Sequence, residues 1–157
     1  MDVRQIQASE VEEVLDLIDT FNRPQAPRPA IEELQVIYKS ILESGGCIVG
    51  EFCNTSMVGT CTVNLCPNLS WSGRPYAIIE NVIVAREYRN LGFGKALLRF
   101  GKDFAQSAGC YKVALMTGSN DSATHRFYSS AGFTANKKAT KYGLMPSQAT
   151  HDDSHFF

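Results

Sequence analysis

The residues with the clearest chemical potential are Arg89-Asn90-Leu91-Gly92-Phe93-Gly94-Lys95, set between an apolar strand pattern and an amphipathic helix pattern. A glycine-rich turn that opens a helix leaves several backbone N–H groups free at the positive end of the helix dipole. Such a turn is suited to a phosphate or pyrophosphate. Two phosphate-binding patterns fail on specific residues. A dinucleotide fingerprint needs a third glycine where Leu97 stands and an acid about 20 residues on, where Tyr111-Lys112-Val113-Ala114 supplies none. A P-loop needs glycine where Arg89 stands and Ser or Thr where Ala96 stands.

A third pattern, Arg/Gln-x-x-Gly-x-Gly/Ala, is met by Arg89, Gly92 and Gly94. Further along comes Asn120-Asp121-Ser122-Ala123-Thr124-His125-Arg126-Phe127-Tyr128-Ser129-Ser130-Ala131-Gly132-Phe133. Together, in this order, the two segments resemble the hallmarks of the GNAT superfamily of N-acetyltransferases. The first is similar to its acetyl-coenzyme A loop, the second to its Asn, Ala and Phe-Tyr-x-x-x-Gly-Phe run.

The resemblance implies an α/β (α+β) fold. Its central sheet would be mixed, mostly antiparallel and splayed at its central strands, with about four helices around it. It implies acetyl-coenzyme A as co-substrate and no metal. The pyrophosphate would lie on the backbone amides of Arg89, Asn90, Leu91, Gly92, Phe93, Gly94 and Lys95. The pantetheine arm would pair with the backbone of Val82, Ile83 and Val84, with one N–H there facing the developing oxyanion. Asn120 would contact the pantetheine or the central strand, with a helix N-cap as its other reading. Tyr128 matches the general acid that protonates the departing thiolate, a phenol being protonated at neutral pH. Glu80 interrupts the apolar run Ala77 to Val84, and a lone carboxylate there should face a cleft, water or a partner. It is a candidate base or water-organising residue, or a structural ion pair. The expected reaction moves an acetyl group to a primary amine of a small molecule or peptide by direct transfer. The alternative is a non-catalytic acyl-coenzyme A sensor or interaction module.

These residues need a scaffold. The 157 residues, 44% hydrophobic and 20% charged, suit one globular domain, expected over 1–148 with a poorly ordered tail at 149–157. A net charge of −1 gives no field favouring nucleic acid or an anionic membrane. No apolar run approaches a bilayer-spanning length and no apolar signal core is present, so the protein is expected to be cytoplasmic. Homodimerisation is left open. The five cysteines, without a Cys-x-x-Cys pair, read as reduced structural thiols.

Periodicity predicts a strand over 3–7 and a helix capped by Ser9 and Glu12. A proline-rich loop over 21–29 and a helix over 30–43 follow. A hairpin is expected over 47–65, then a strand over 76–84. A helix after the glycine turn should bury Phe93, Leu97, Phe100 and Phe104. A strand over 112–117, a helix over 122–130 and weaker strands near Phe133 and Tyr142 to Met145 complete the order. The acceptor is expected near the 21–29 loop, whose Arg23 and Arg28 suit a carboxylate or phosphate, with Trp71 and Tyr76 as further lining.

Overall fold

The computed structural model describes residues 2–21 and 26–135. They fall into two compact units, one ending at Leu115 and the other beginning at Met116.

The first unit is a five-stranded sheet with three helices. Its strands are β1 (Asp2–Gln5), β2 (Cys47–Cys53), β3 (Ser56–Cys66), β4 (Tyr76–Val84) and β5 (Val113–Leu115). They lie in chain order across the sheet. Neighbours are antiparallel up to β4, and β5 runs parallel to β4. The helices are α1 (Val11–Asp19), α2 (Ile31–Glu43) and α3 (Phe93–Ser107). The second unit contributes α4 (Ser122–Ser130). This is the expected mixed, mostly antiparallel sheet with four helices. The strand expected at Tyr142 to Met145 lies outside the described residues, and Phe133 to Ala135 are not in a strand.

Helices cover both faces of the sheet. On one face Ile6, Ile48, Phe52, Met57 and Ile83 pack with Val11, Val14 and Leu17 of α1 and Leu34 of α2. On the other face α3 lies close, because small residues on it admit the sheet's side chains. A Cβ built on Gly101 would sit 2.9 Å from Ile79 Cδ1 and 3.3 Å from Val63 Cγ2. The buried stripe of α3 is therefore Phe93, Leu97, Gly101 and Ala105, with Ala96 and Leu98 beside it. Phe100 and Phe104, expected in the core, are only half-buried. The small side chains win the central line because they let the helix backbone approach. Gly101→Val is expected to destabilise the chain by about 1–3 kcal/mol through overpacking, read as a lowered urea midpoint at unchanged slope.

The first helix starts differently from expectation. The Gln7 N–H donates to Glu10 Oε2 at 2.7 Å, and Arg4 donates to both Glu10 oxygens at 2.9 and 2.6 Å. The reciprocal acid is thus Glu10, not Glu12, because Glu10 also gains a cation from β1. This pair holds the Glu10 carboxyl below its ordinary range.

Candidate active site

β4 carries a bulge. Register runs evenly from Cys66 opposite Tyr76 to Thr62 opposite Glu80, then skips so that Thr60 meets Ile83. Two residues of β3 thus span three of β4, which is a bulge at Asn81–Val82. Asn81 takes φ +53, a left-handed value that Asn tolerates better than branched residues. The bulge reverses the facing of β4. Ala77 and Ile79 are buried ahead of it, and Ile83 joins the α1–α2 core after it.

On its other side β4 is accompanied by β5 only over Ala77, Ile78 and Ile79. From Glu80 to Val84 no strand of the first unit pairs with that edge. That stretch of edge, an open wedge among the described strands of the first unit, suits a ligand that lies along the strand. Val82 and Val84 are half-buried and Ile83 is buried.

Glu80 sits where the wedge begins. It is half-buried and shares its face with Ile78, since the pleat is regular up to the bulge. Among the described residues its carboxylate makes no ion pair or side-chain hydrogen bond. The structural ion pair that the sequence left open is thus not made among the described residues.

After β4 the chain turns through Arg86–Tyr88 and reaches α3. Arg89 folds back, its Nε donating to the Val84 carbonyl at 3.0 Å. That bond ties the loop to the end of β4. Asn90 and Gly92 are left-handed, with φ +63 and +93. Gly92 is the N-cap of α3 and nothing lies within 4 Å of a Cβ built on it. Its glycine is required by backbone conformation, not by crowding within the protein. Gly94 is the second residue of α3 and is not among the left-handed glycines.

The charge around this helix start differs from that of its neighbours. α1 carries Glu12 and Glu13 in its first turn, and α2 carries Glu32 and Glu33. α3 has no acid in its first turn and no side-chain cap, but Lys95 instead. Within the helix the first bond is Ala96 N–H to the Gly92 carbonyl at 3.1 Å. The preceding amides, at the exposed Leu91–Gly92 end, form the positive end of the helix dipole, with no acid in the first turn of α3 to balance it.

In the second unit Asp121, not Asn120, caps α4: its Oδ1 accepts from the Ala123 N–H at 3.0 Å. Asn120 is exposed and free of that structural duty. Tyr128 is half-buried, with its ring 5.0 Å from Phe127 and 6.3 Å from Phe133. His125 is exposed.

Of the expected acceptor residues, Arg28 is committed elsewhere. It donates to Asp19 and Asp16 of α1, each at 2.7 Å. Arg23 lies outside the described residues. The cysteines are free thiols, and burial pushes both Cys47 and Cys61 up to about 12. Those two thiols are protonated at neutral pH and are not nucleophiles. Among the described residues no helix is long and apolar enough to cross a membrane, and no group of three His, Cys, Asp or Glu side chains could hold a metal.

Sequence reading missed the structural cause of the bulge, although the polar pair Glu80-Asn81 within an apolar run is its signal. It also missed Tyr111 and Lys112, which join Trp71 and Tyr76 in one cluster.

Known proteins share this architecture. A curated relative, the glucosamine 6-phosphate N-acetyltransferase of Trypanosoma brucei brucei, is 28% identical over 147 residues, 92% of this chain and 96% of its own length. A solved protein of Agrobacterium tumefaciens C58, assigned to the acetyltransferases, superposes with a TM-score of 0.82 at 33% identity, covering 92% of this chain and 100% of that one. An acetyltransferase structure from Trypanosoma brucei gives a TM-score of 0.79 at 27% identity, covering 91% and 99%. Residues 11–133 match the sequence profile of the acetyltransferase (GNAT) family. The chain therefore belongs to the acetyltransferase (GNAT) family, and so to the acyltransferases.

Proposed function

We propose that the chain transfers an acetyl group from acetyl-coenzyme A directly to the primary amine of a small molecule. The observation that carries this reading is the junction of β4 and α3. Among the described residues, a strand edge without a partner strand beyond Ile79 leads into a helix start with no acid in its first turn and no side-chain cap. That sequence of features suits a long ligand with a pantetheine arm and a pyrophosphate. The amides of Arg89 to Lys95 would hold the pyrophosphate, and the backbone of Val82 to Val84 the arm.

The amine nitrogen attacks the thioester carbonyl, the carbon–sulfur bond breaks, and the amine proton leaves through Glu80 or a water it orders. A backbone N–H near Val82 stabilises the oxyanion. Tyr128 returns a proton to the coenzyme A thiolate. Asn120, released from capping, contacts the pantetheine. The curated relative's name makes glucosamine 6-phosphate the first acceptor to try.

Thiol release from acetyl-coenzyme A over a panel of amines tests the reading. Turnover on at least one is expected, whereas binding of the donor with silence on every amine would make the protein a sensor. Tyr128→Phe keeps the ring packing and should lower kcat about 100-fold, the low end for a general acid, with donor affinity unchanged. Equal turnover would remove Tyr128 from the acid role.

A further inference from the structure

At the end of β4 away from the bulge, four side chains form one cluster. The Trp71 and Tyr111 rings stack with centroids 5.1 Å apart and planes 14° from parallel. Tyr76 meets Tyr111 edge-on at 6.3 Å. Lys112 Nζ lies 5.0 Å from the Tyr76 ring and 5.2 Å from the Tyr111 ring. Among the described residues Tyr111 is the one ring stacked on the indole, and Trp71 remains 66% exposed.

The backbone that presents this indole is unusual. Trp71 and Ser72 have φ +54 and +58, and Gly73 follows at +73. Two consecutive side-chain-bearing residues in the left-handed region are rare and point to a site that needs them there. The loop is also pinned. Arg74 donates from Nε to the Gly109 carbonyl at 3.1 Å and from Nη2 to the Cys110 carbonyl at 2.9 Å. The Tyr111 N–H donates to the Pro75 carbonyl at 2.9 Å. Stacking on Tyr111 thus fixes the indole while most of its surface stays exposed.

The cluster connects to the wedge. Tyr76, Ile78 and Glu80 occupy alternate positions on one face of β4, opposite Cys66, Asn64 and Thr62 of β3. From Tyr76 to Glu80 the strand rises about 13 Å, more than one hexose ring spans. A saccharide acceptor whose amine lies at Glu80 reaches the indole only through a second ring.

We propose that Trp71 and Tyr111 form an outer subsite for a saccharide ring, so that the preferred acceptor is an amine-bearing disaccharide or longer glycan. The apolar face of the ring lies on the exposed indole, and Lys112 donates to its hydroxyls. The Lys112 charge sets the patch against linear polyamines. This rests on the acyl-transfer reading for the amine's role, but not for ring binding.

Trp71 is the only tryptophan, so its fluorescence reads the subsite without turnover. Titration with N-acetylglucosaminyl-β-1,4-glucosamine should give a saturable change. Glucosamine should act at least about tenfold more weakly, the worth of one stacked ring, and spermidine should give none. Trp71→Ala should raise KM for the disaccharide by a similar factor. It should leave the acetyl-coenzyme A affinity unchanged, and Trp71→Phe should restore part of the loss. No fluorescence response to the disaccharide, or an equal response to spermidine, overturns the subsite. A response without acetylation of any amine upholds the subsite and removes the acyl-transfer reading. Turnover with equal KM for one ring and two removes the subsite alone.

Discussion

At pH 8 the Glu51→Met variant is expected to melt roughly 6–12 °C above the parent chain, the equivalent of about 3 kcal/mol for a domain of this size. Glu51 lies in β2 opposite Gly59, whose missing side chain would point at Leu97 of α3. The carboxyl is thus on the α3 face, 0% exposed, and neither oxygen has a hydrogen-bond partner. Desolvation pushes its pKa from 4.5 up to about 7. The folded chain therefore holds a proton that the unfolded chain has lost above pH 4.5. Stability falls as pH rises through the interval from 4.5 to about 7, then levels off. A shift of that size is worth about 3 kcal/mol. Glu10, held down by Arg4, acts in the opposite sense and only as pH falls below its ordinary range, so it does not mask the effect. Thermal melts of both proteins from pH 5 to pH 8 should diverge, with the parent sloping down and the variant nearly flat. Parallel curves would show that Glu51 has a partner or is charged without cost.

The second large effect is on ligand affinity. Gly92→Val should weaken acetyl-coenzyme A roughly 10–100-fold, the worth of one hydrogen bond to a charged oxygen. The apo fold should lose only about 1–2 kcal/mol, the cost of a left-handed L-residue. The two separate because, among the described residues, nothing lies within 4 Å of the added Cβ. A branched residue cannot hold φ +93 comfortably, so the turn relaxes and the amides at the start of α3 lose their alignment. Calorimetric titration of both proteins measures this, with circular dichroism melts as the control for folding. Unchanged affinity would mean that the turn does not hold the donor.

How much of this was legible in sequence varied with the range of the interactions involved. β4 and α4 were bounded correctly at both ends, because local signals mark them: Pro75 before the strand, Asp121 and Gly132 around the helix. The start of α1 was misplaced by one box, since the choice between Glu10 and Glu12 is made by Arg4, a partner from another element. Glu51 was invisible. It interrupts the apolar run of β2 as Glu80 interrupts that of β4, and the helices on both faces of the sheet make its position buried. The glycine turn and Tyr128 were singled out by motif. That Asp121 frees Asn120 from the cap, and that Asp16 and Asp19 occupy Arg28, depends on side-chain competition that no pattern encodes.

The account depends on a pyrophosphate resting on the exposed amides at the start of α3. Titrating the wild-type chain by calorimetry with acetyl-coenzyme A and with S-acetylpantetheine, which lacks the nucleotide and pyrophosphate, addresses that directly. One site for acetyl-coenzyme A, with S-acetylpantetheine bound far more weakly, is the predicted result. Equal affinity for the two, or no heat from either, would contradict it.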